Sequence, residues 1–416
     1  MMSGDTQEGC ESSETADARG AESIALVMGH HLYGDVLESV VECLPAADLA
    51  ASAVVSREWL RAVRCVLRRR PRRLPWLVVH LVGRRHRQTT AYDPHSGSWL
   101  TVCSAPHGGT LSTLRHVISG RGDRLCALSL SGLDIAGGSL GRSAWMELKA
   151  PSVWRVDPVL AVVGERVVVL GGACELALAE GENAAAVEVH DEGGGSWSTC
   201  DPMPSALRES ASATWLSAAA TDERVYLTER RSGWASWFNP SKHSWGPTRR
   251  LTPDSCVSTW AIAPAAHAGA ERLVLFGAKR QGQGVVIQAW EVDGDALDVS
   301  PSSTSDAMPS EMSAILFPRS DDDHDDVETW SSIRIRVCGN ATGGYVYNAA
   351  EPANGAVLYE LRQAGHGGSL VERWERVPCA PSLHAQPLGR VIIACSQVGL
   401  DQLPGGLRPL GSQLKS

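Results

Sequence analysis

Phenylalanine and tyrosine are scarce in this 416-residue chain, three and six residues against fourteen tryptophans. No run of eighteen apolar residues occurs, which excludes a membrane-crossing helix. The eleven cysteines are scattered from Cys10 to Cys395 with no C-x-x-C pair and no clustering with histidine. That pattern argues against a disulfide framework or zinc site and predicts reduced thiols, hence a cytoplasmic and/or nuclear protein. Asp5, Glu8, Glu11, Glu14 and Asp17 precede the first apolar run, the opposite of a secretory signal. The Asn340–Thr342 sequon is therefore expected to go unused. A net charge of −9 offers nothing to a general nucleic-acid binder. Catalytic motifs are missing too: no nucleophile elbow, no phosphate-binding loop and no H-E-x-x-H. His107-Gly108-Gly109 has no nucleophile to serve and reads as a glycine-rich turn. The acidic run at 320–326 lacks the glycine and glutamate placement of a calcium loop and reads as a solvated insertion. A copper radical oxidase would need tyrosine and histidine ligands in concert, and the six tyrosines read as packing residues of strands and turns. No cofactor, metal or catalytic residue is expected.

What the chain does have begins at Gly34. Val36, Leu37, Val40, Val41 and Leu44 recur with helical spacing, Pro45 ends the run, 47–54 forms a second short helix with Leu49 inward, and Ser56 stands as N-cap of a third helix carrying Trp59, Leu60, Val63 and Val66. Three short helices cannot bury all of these side chains among themselves, so some are expected to stay exposed for a partner.

The order D-V-L-x-x-V-x-x-x-L-P-x-x-D-L-x-x-x-x-x-V-S-R-x-W, from Asp35 to Trp59, resembles an F-box, with Leu32-Tyr33 standing where members usually open on Leu-Pro. The resemblance implies docking on a Skp-type adaptor, and through it on a cullin, by Val36, Leu37, Val40, Leu44, Pro45, Leu49, Val55 and Trp59. Between Arg57 and Arg73 lie eight arginines against one glutamate. That run reads as either a nuclear import signal or a solvated helix end. The expected division is a disordered acidic tail over 1–28, the F-box over 29–70, a basic and proline-containing linker over 71–75, a β domain over 76–400 and a tail over 401–416.

From Pro75 the period changes to short β-type runs. AYDPHSGSW at 91–99, VHDEGGGSW at 189–197 and WFNPSKHSW at 237–245 share one design: an apolar strand end, a polar turn, then Ser-Trp opening the next strand. Trp145 and Trp374 take the same place, and Ala296-Leu297 is expected to replace the tryptophan in one repeat. Successive tryptophans lie about fifty residues apart, the period of a kelch-type blade. Ahead of them come RLCALSL, RVVVLGG, RVYLTER, RLVLFGA and SIRIRVCG, each expected to be another buried strand. The first group lacks one strand, and the last apolar run, GRVIIACSQ at 389–397, has no group of its own. Joining the two predicts a six-bladed all-β propeller closed by the C-terminal strand, behind an N-terminal three-helix unit. The doublet Gly171-Gly172, with Gly277 and Gly339 as partial echoes, resembles the kelch signature. Together the two matches resemble plant F-box/kelch-repeat proteins.

That resemblance implies a substrate-recognition subunit of a Skp–cullin–F-box ubiquitin ligase, with no catalysis of its own and a protein client held on the propeller. Enzymes of phenylpropanoid and flavonoid synthesis are among the clients it suggests. A kelch-type scaffold independent of ubiquitination is the alternative. Neither nucleic acid nor membrane is expected as a partner. The paired basic residues Arg84-Arg85, Arg230-Arg231 and Lys279-Arg280 fall in equivalent turns and are expected to form a discontinuous basic rim that meets client carboxylates.

Overall fold

The computed structural model describes residues 34–44, 46–69, 74–83, 87–102, 114–137, 145–172, 186–191, 195–265, 271–282, 284–300, 306–318, 333–362, 370–385, 389–397 and 407–409. The expected acidic tail, Pro45, the Arg84-Arg85 pair, His107-Gly108-Gly109 and the acidic run at 320–326 lie outside the described residues. The chain divides into two compact units, Met1–Pro71 and Arg72–Ser416.

The first unit holds α1 (Asp35–Glu42), α2 (Ala46–Ser52) and α3 (Arg57–Arg69). Asp35 and Glu38 in the first turn of α1 complement the positive end of its dipole. Ser56 caps α3 as its sequence position predicts: its hydroxyl accepts from the amides of Glu58 (3.2 Å) and Trp59 (3.3 Å). Leu37 and Val41 of α1, Leu49 of α2 and Ala62, Val63 and Val66 of α3 form the buried seam.

The second unit is mostly β-sheet with few helices, its sheets curled in a manner consistent with a β-propeller. In chain order the strands are β1 (Trp76–Val82), β2 (Arg87–Asp93), β3 (Ser98–Val102), β4 (Leu114–Ser119), β5 (Arg124–Leu128), β6 (Gly132–Ala136), β7 (Trp145–Lys149), β8 (Val159–Val163), β9 (Arg166–Leu170), β10 (Val187–Asp191), β11 (Trp197–Cys200), β12 (Leu216–Ala220) and β13 (Val225–Glu229). There follow β14 (Trp234–Asn239), β15 (Ser244–Trp245), β16 (Arg249–Arg250), β17 (Thr259–Ala265), β18 (Arg272–Gln281), β19 (Gly284–Asp293), β20 (Asp306–Ala307), β21 (Ile335–Asn340), β22 (Gly343–Asn348), β23 (Ala356–Leu361), β24 (Val371–Val377), β25 (Arg390–Ser396) and β26 (Leu407–Pro409). Consecutive strands pair antiparallel in groups: β4 to β7, β8 to β11, β12 to β15 with β16 also on β14, β17 to β20, and β21 to β24. The remaining group is β25-β1-β2-β3, in which the C-terminal strand pairs antiparallel with β1, Leu77 opposite Cys395. Beyond it β26 adds to β3, so Leu407–Pro409 belong to a sheet rather than to the expected tail.

The first strands of these groups neighbour one another in the order β25, β4, β8, β12, β17, β21 and back to β25. Apolar clusters fill the spaces between successive groups; Val117 and Ile135 against Leu160 and Val169 is one, and Leu77 and Cys395 against Cys338 and Tyr345 is another. Inner strands such as β9 are covered on both faces, which is why they read as unbroken apolar runs. Outermost strands such as β7 are partly exposed throughout.

The recurrent tryptophans have a structural role. The indoles of Trp99, Trp197 and Trp245 donate to the carbonyls of Pro378 (3.1 Å), Lys149 (2.8 Å) and Asp201 (3.1 Å), each at the end of the outermost strand of the preceding group. Each ring also packs on the third-strand residue opposite it: Tyr92, His190 and Phe238, with centroids 5.2–5.4 Å apart. The turns ahead of Trp99 and Trp245, and the matching turn that opens on Asp293, are built the same way. Asp93, Asn239 and Asp293 accept backbone amides two residues on, and Gly97, Gly195, His243 and Leu297 occupy the left-handed position that closes the turn. Leu297 therefore replaces that glycine and not the tryptophan. The residue at the tryptophan place is Val299, bridged to Val292 as Trp99 is to Tyr92.

A second correction concerns SIRIRVCG. Its residues Ile335–Gly339 lie in β21, the first strand of its group, and the second is β22. Gly339 is then no echo of the doublet; it leaves room for the Tyr359 hydroxyl, as Gly277 does for the rings of Trp260 and Trp290. At Gly171 and Gly172 both φ values are positive, and a Cβ would strike the backbone of Ala211 and of Asp157-Pro158. Glycine is required there by conformation and by close chain crossing.

Candidate functional site

Two regions concentrate groups that packing does not consume. The first lies on the helical unit. Val36 and Val40, one turn apart on α1, are 54% and 39% exposed, and Val54 and Val55 between α2 and α3 are 84% and 65% exposed. Leu44 and Trp59 are half-buried. Of the expected adaptor contacts, Val36, Val40 and Val55 are thus free to meet a partner, while Leu37 and Leu49 are sealed among the helices and hold the unit together. Val54 escaped the sequence reading, which placed it at the end of the second helix, whereas that helix stops at Ser52 and leaves Val54 in the exposed loop.

The second region is a cavity of about 540 Å³ bounded by residues of all six first strands. Four arginines line it: Arg115 on β4, Arg336 on β21, Arg390 on β25, and Arg230 just after β13. Their guanidiniums donate to main-chain carbonyls, some in their own strand group and some in another. Arg230 donates to Leu216 O (2.9 Å) and Ile335 O (3.1 Å), and Arg336 to Ala213 O (3.1 Å) and Thr214 O (3.4 Å). Arg115 reaches Val156 O and Arg390 reaches Leu114 O. Burial first, and then the neighbouring Arg336, hold the Arg230 guanidinium well below its ordinary pKa. Burial and then Arg115 do the same, less strongly, to Arg390. Tyr347 also lines the cavity, and its hydroxyl pKa is raised by burial.

The expected basic rim is therefore divided. Arg230 turns into the cavity, Arg231 is exposed, Lys279 is tied to Asp254 at 2.6 Å, and Arg280 is exposed at the end of β18. Lys279 holds the Asp254 carboxyl below the usual range. Sequence reasoning missed Arg115, Arg336 and Arg390. Their shared mark is an arginine within the first two residues of an otherwise apolar strand, in LRHVIS, IRVCGN and RVIIACS.

A helical unit with an exposed apolar stripe, followed by a unit of curled antiparallel sheets consistent with a β-propeller, sets the class of fold. An F-box/kelch-repeat protein of Arabidopsis thaliana is 33% identical over 386 residues, 89% of this chain and 91% of that one. The chain belongs to the F-box/kelch-repeat family. No family model matches it. Among solved structures, apo AztD from Citrobacter koseri covers 79% of this chain and all of its own at 12% identity, with a TM-score of 0.33.

Proposed function

We propose that this chain is a non-catalytic client-recognition subunit of a Skp–cullin–F-box ubiquitin ligase, working in the cytosol or nucleus. The helical unit docks on the Skp-type adaptor, and the β unit, read as a six-bladed kelch-type ring, holds a protein client. Six four-stranded groups, the cyclic order of their first strands and the β25–β1 pairing support the ring. The observation that carries the adaptor reading is the exposed stripe of Val36, Val40 and Val55 on a helical unit of a family member. The effect exerted is proximity: a client held near the ubiquitin-loaded enzyme reacts as if at high local concentration.

The test uses Val36→Asp with Val40→Asp. Both positions are exposed, so the unit keeps its own core, while two carboxylates placed in an apolar interface abolish co-purification with a Skp adaptor. The melting of the β unit stays unchanged. Undiminished adaptor capture by this variant would sink the reading and leave a kelch-type scaffold in its place.

A further inference from the structure

The four arginines around the cavity are more than a clasp, because main-chain carbonyls offer them partial charges only. Among the described residues, neither Arg230 nor Arg336 has a carboxylate at ion-pair distance. The carboxylates that line the same cavity are already engaged. Asp123 takes His116 Nε2 (3.0 Å) and the amides of Ser119 and Cys395, and Asp157 takes the amide and hydroxyl of Thr214, both at 2.8 Å. Glu229, beside Arg230, accepts from the amides of Arg231 and Ser232 and from the Ser210 hydroxyl. Among the described residues Arg230 Nε has no acceptor. Two cations thus stand together, half-desolvated, with donor capacity left over, and an anion between them relieves both the repulsion and the unmet donor.

We propose that Arg230 and Arg336 seat the carboxylates of an extended acidic segment of the client, at the mouth of the central cavity. The assignment rests on the client-recognition reading given above. Volume favours an extended segment: a helix with its side chains is about 10–12 Å across, too wide for a cavity of about 540 Å³ lined by residues of all six first strands. Charge favours carboxylate or phosphate, and bidentate geometry suits the guanidinium to either.

The experiment measures binding of a dye-labelled tetraglutamate peptide to the full chain by fluorescence anisotropy, with tetraglutamine bearing the same dye as reference. Tetraglutamate is expected to bind, more weakly as salt rises, and tetraglutamine to fail. Arg336→Gln is expected to weaken binding about tenfold or more, the usual effect of losing a charge-assisted contact, while Arg231→Gln at the exposed neighbour changes nothing. Should Arg336→Gln melt early, Arg336→Lys, which keeps the charge and loses the fork, is expected to show an intermediate loss. Equal binding of the two peptides, or undiminished binding by the Arg336 variants, overturns the proposal. Displacement of the peptide by citrate or inorganic phosphate at concentrations below those at which tetraglutamate itself binds overturns the client segment in favour of a free small anion. Skp capture measured on the same samples separates the two readings, since its loss with peptide binding intact removes only the adaptor role.

Discussion

Replacing Arg155 by methionine should cost the β unit about 3–5 kcal/mol, the usual penalty for breaking a buried ion pair by removing one partner. The Arg155 and Glu188 side chains are both fully buried, their closest approach is 2.9 Å, and burial lowers the arginine pKa against the opposing pull of Glu188. Arg155 also donates to Gly171 O (2.7 Å) and Ala186 O (2.8 Å), and Glu188 accepts the amides of Ser152 (2.6 Å) and Val153. Methionine fills comparable volume but strands a buried carboxylate and two carbonyls. Glu188→Gln keeps the acceptor for Ser152 and removes the charge, so adding it to Arg155→Met should make matters no worse. The two effects are expected to be non-additive by about 1–3 kcal/mol. Urea unfolding followed by tryptophan fluorescence measures all four proteins of the cycle. Because Arg155 fixes the segment carrying Asp157, whose carboxylate holds Thr214, the Thr214 amide should also exchange faster in Arg155→Met. Effects that simply add to within about 0.5 kcal/mol would refute the coupled pair, and unchanged exchange at Thr214 would refute its link to the cavity wall.

Trp197→Phe should lose about 0.5–1.5 kcal/mol, the net worth of the indole hydrogen bond to Lys149 O, because the ring contact with His190 survives; chemical denaturation measures it. A thiol reagent at mildly alkaline pH should label exposed Cys43 and Cys256 first. Cys126, buried and with its thiol pushed up to about 12 by that burial, should stay unmodified until the protein unfolds, as read by peptide mass spectrometry.

Much of the architecture was legible because it rests on local chemistry. Ser56 announces a helix start by what its hydroxyl can accept, and the run at 389–397 announces ring closure because a buried apolar strand without a group needs a partner. Strand identity was less legible. IRVCGN and RVYLTE both read as short β-type runs led by an apolar or basic residue, and only pairing decides that the first opens its group while the second follows an opener. The tryptophan place in the fifth group was misread for a related reason. Ala296-Leu297 supplies apolar side chains near the right distance, yet counting from the Asx residue Asp293 puts the place at Val299, and a left-handed leucine is not an expected turn closer. The arginines around the cavity were the least legible, since Arg230 turns inward to reach Ile335, 105 residues away in the chain.

Nearest-neighbour contacts hold the β unit together, so each group contributes mainly through the two spaces beside it, as in other repeat architectures. The arginines depart from that rule. Arg230 and Arg336 join the fourth and sixth groups across the first strand of the fifth, and in doing so place two cations where, among the described residues, no carboxylate stands at ion-pair distance. A residue kept only to stiffen the ring would do better uncharged or paired, because a desolvated cation bonded to carbonyls carries a penalty that an apolar side chain of the same volume does not. Retaining two of them side by side makes sense when the charge is used on something outside the chain. On the proposed reading, the rigidity that the tryptophan hydrogen bonds and Arg155 supply has a purpose: it holds the like charges of Arg230 and Arg336 together, so that a client's carboxylates would find them already in place.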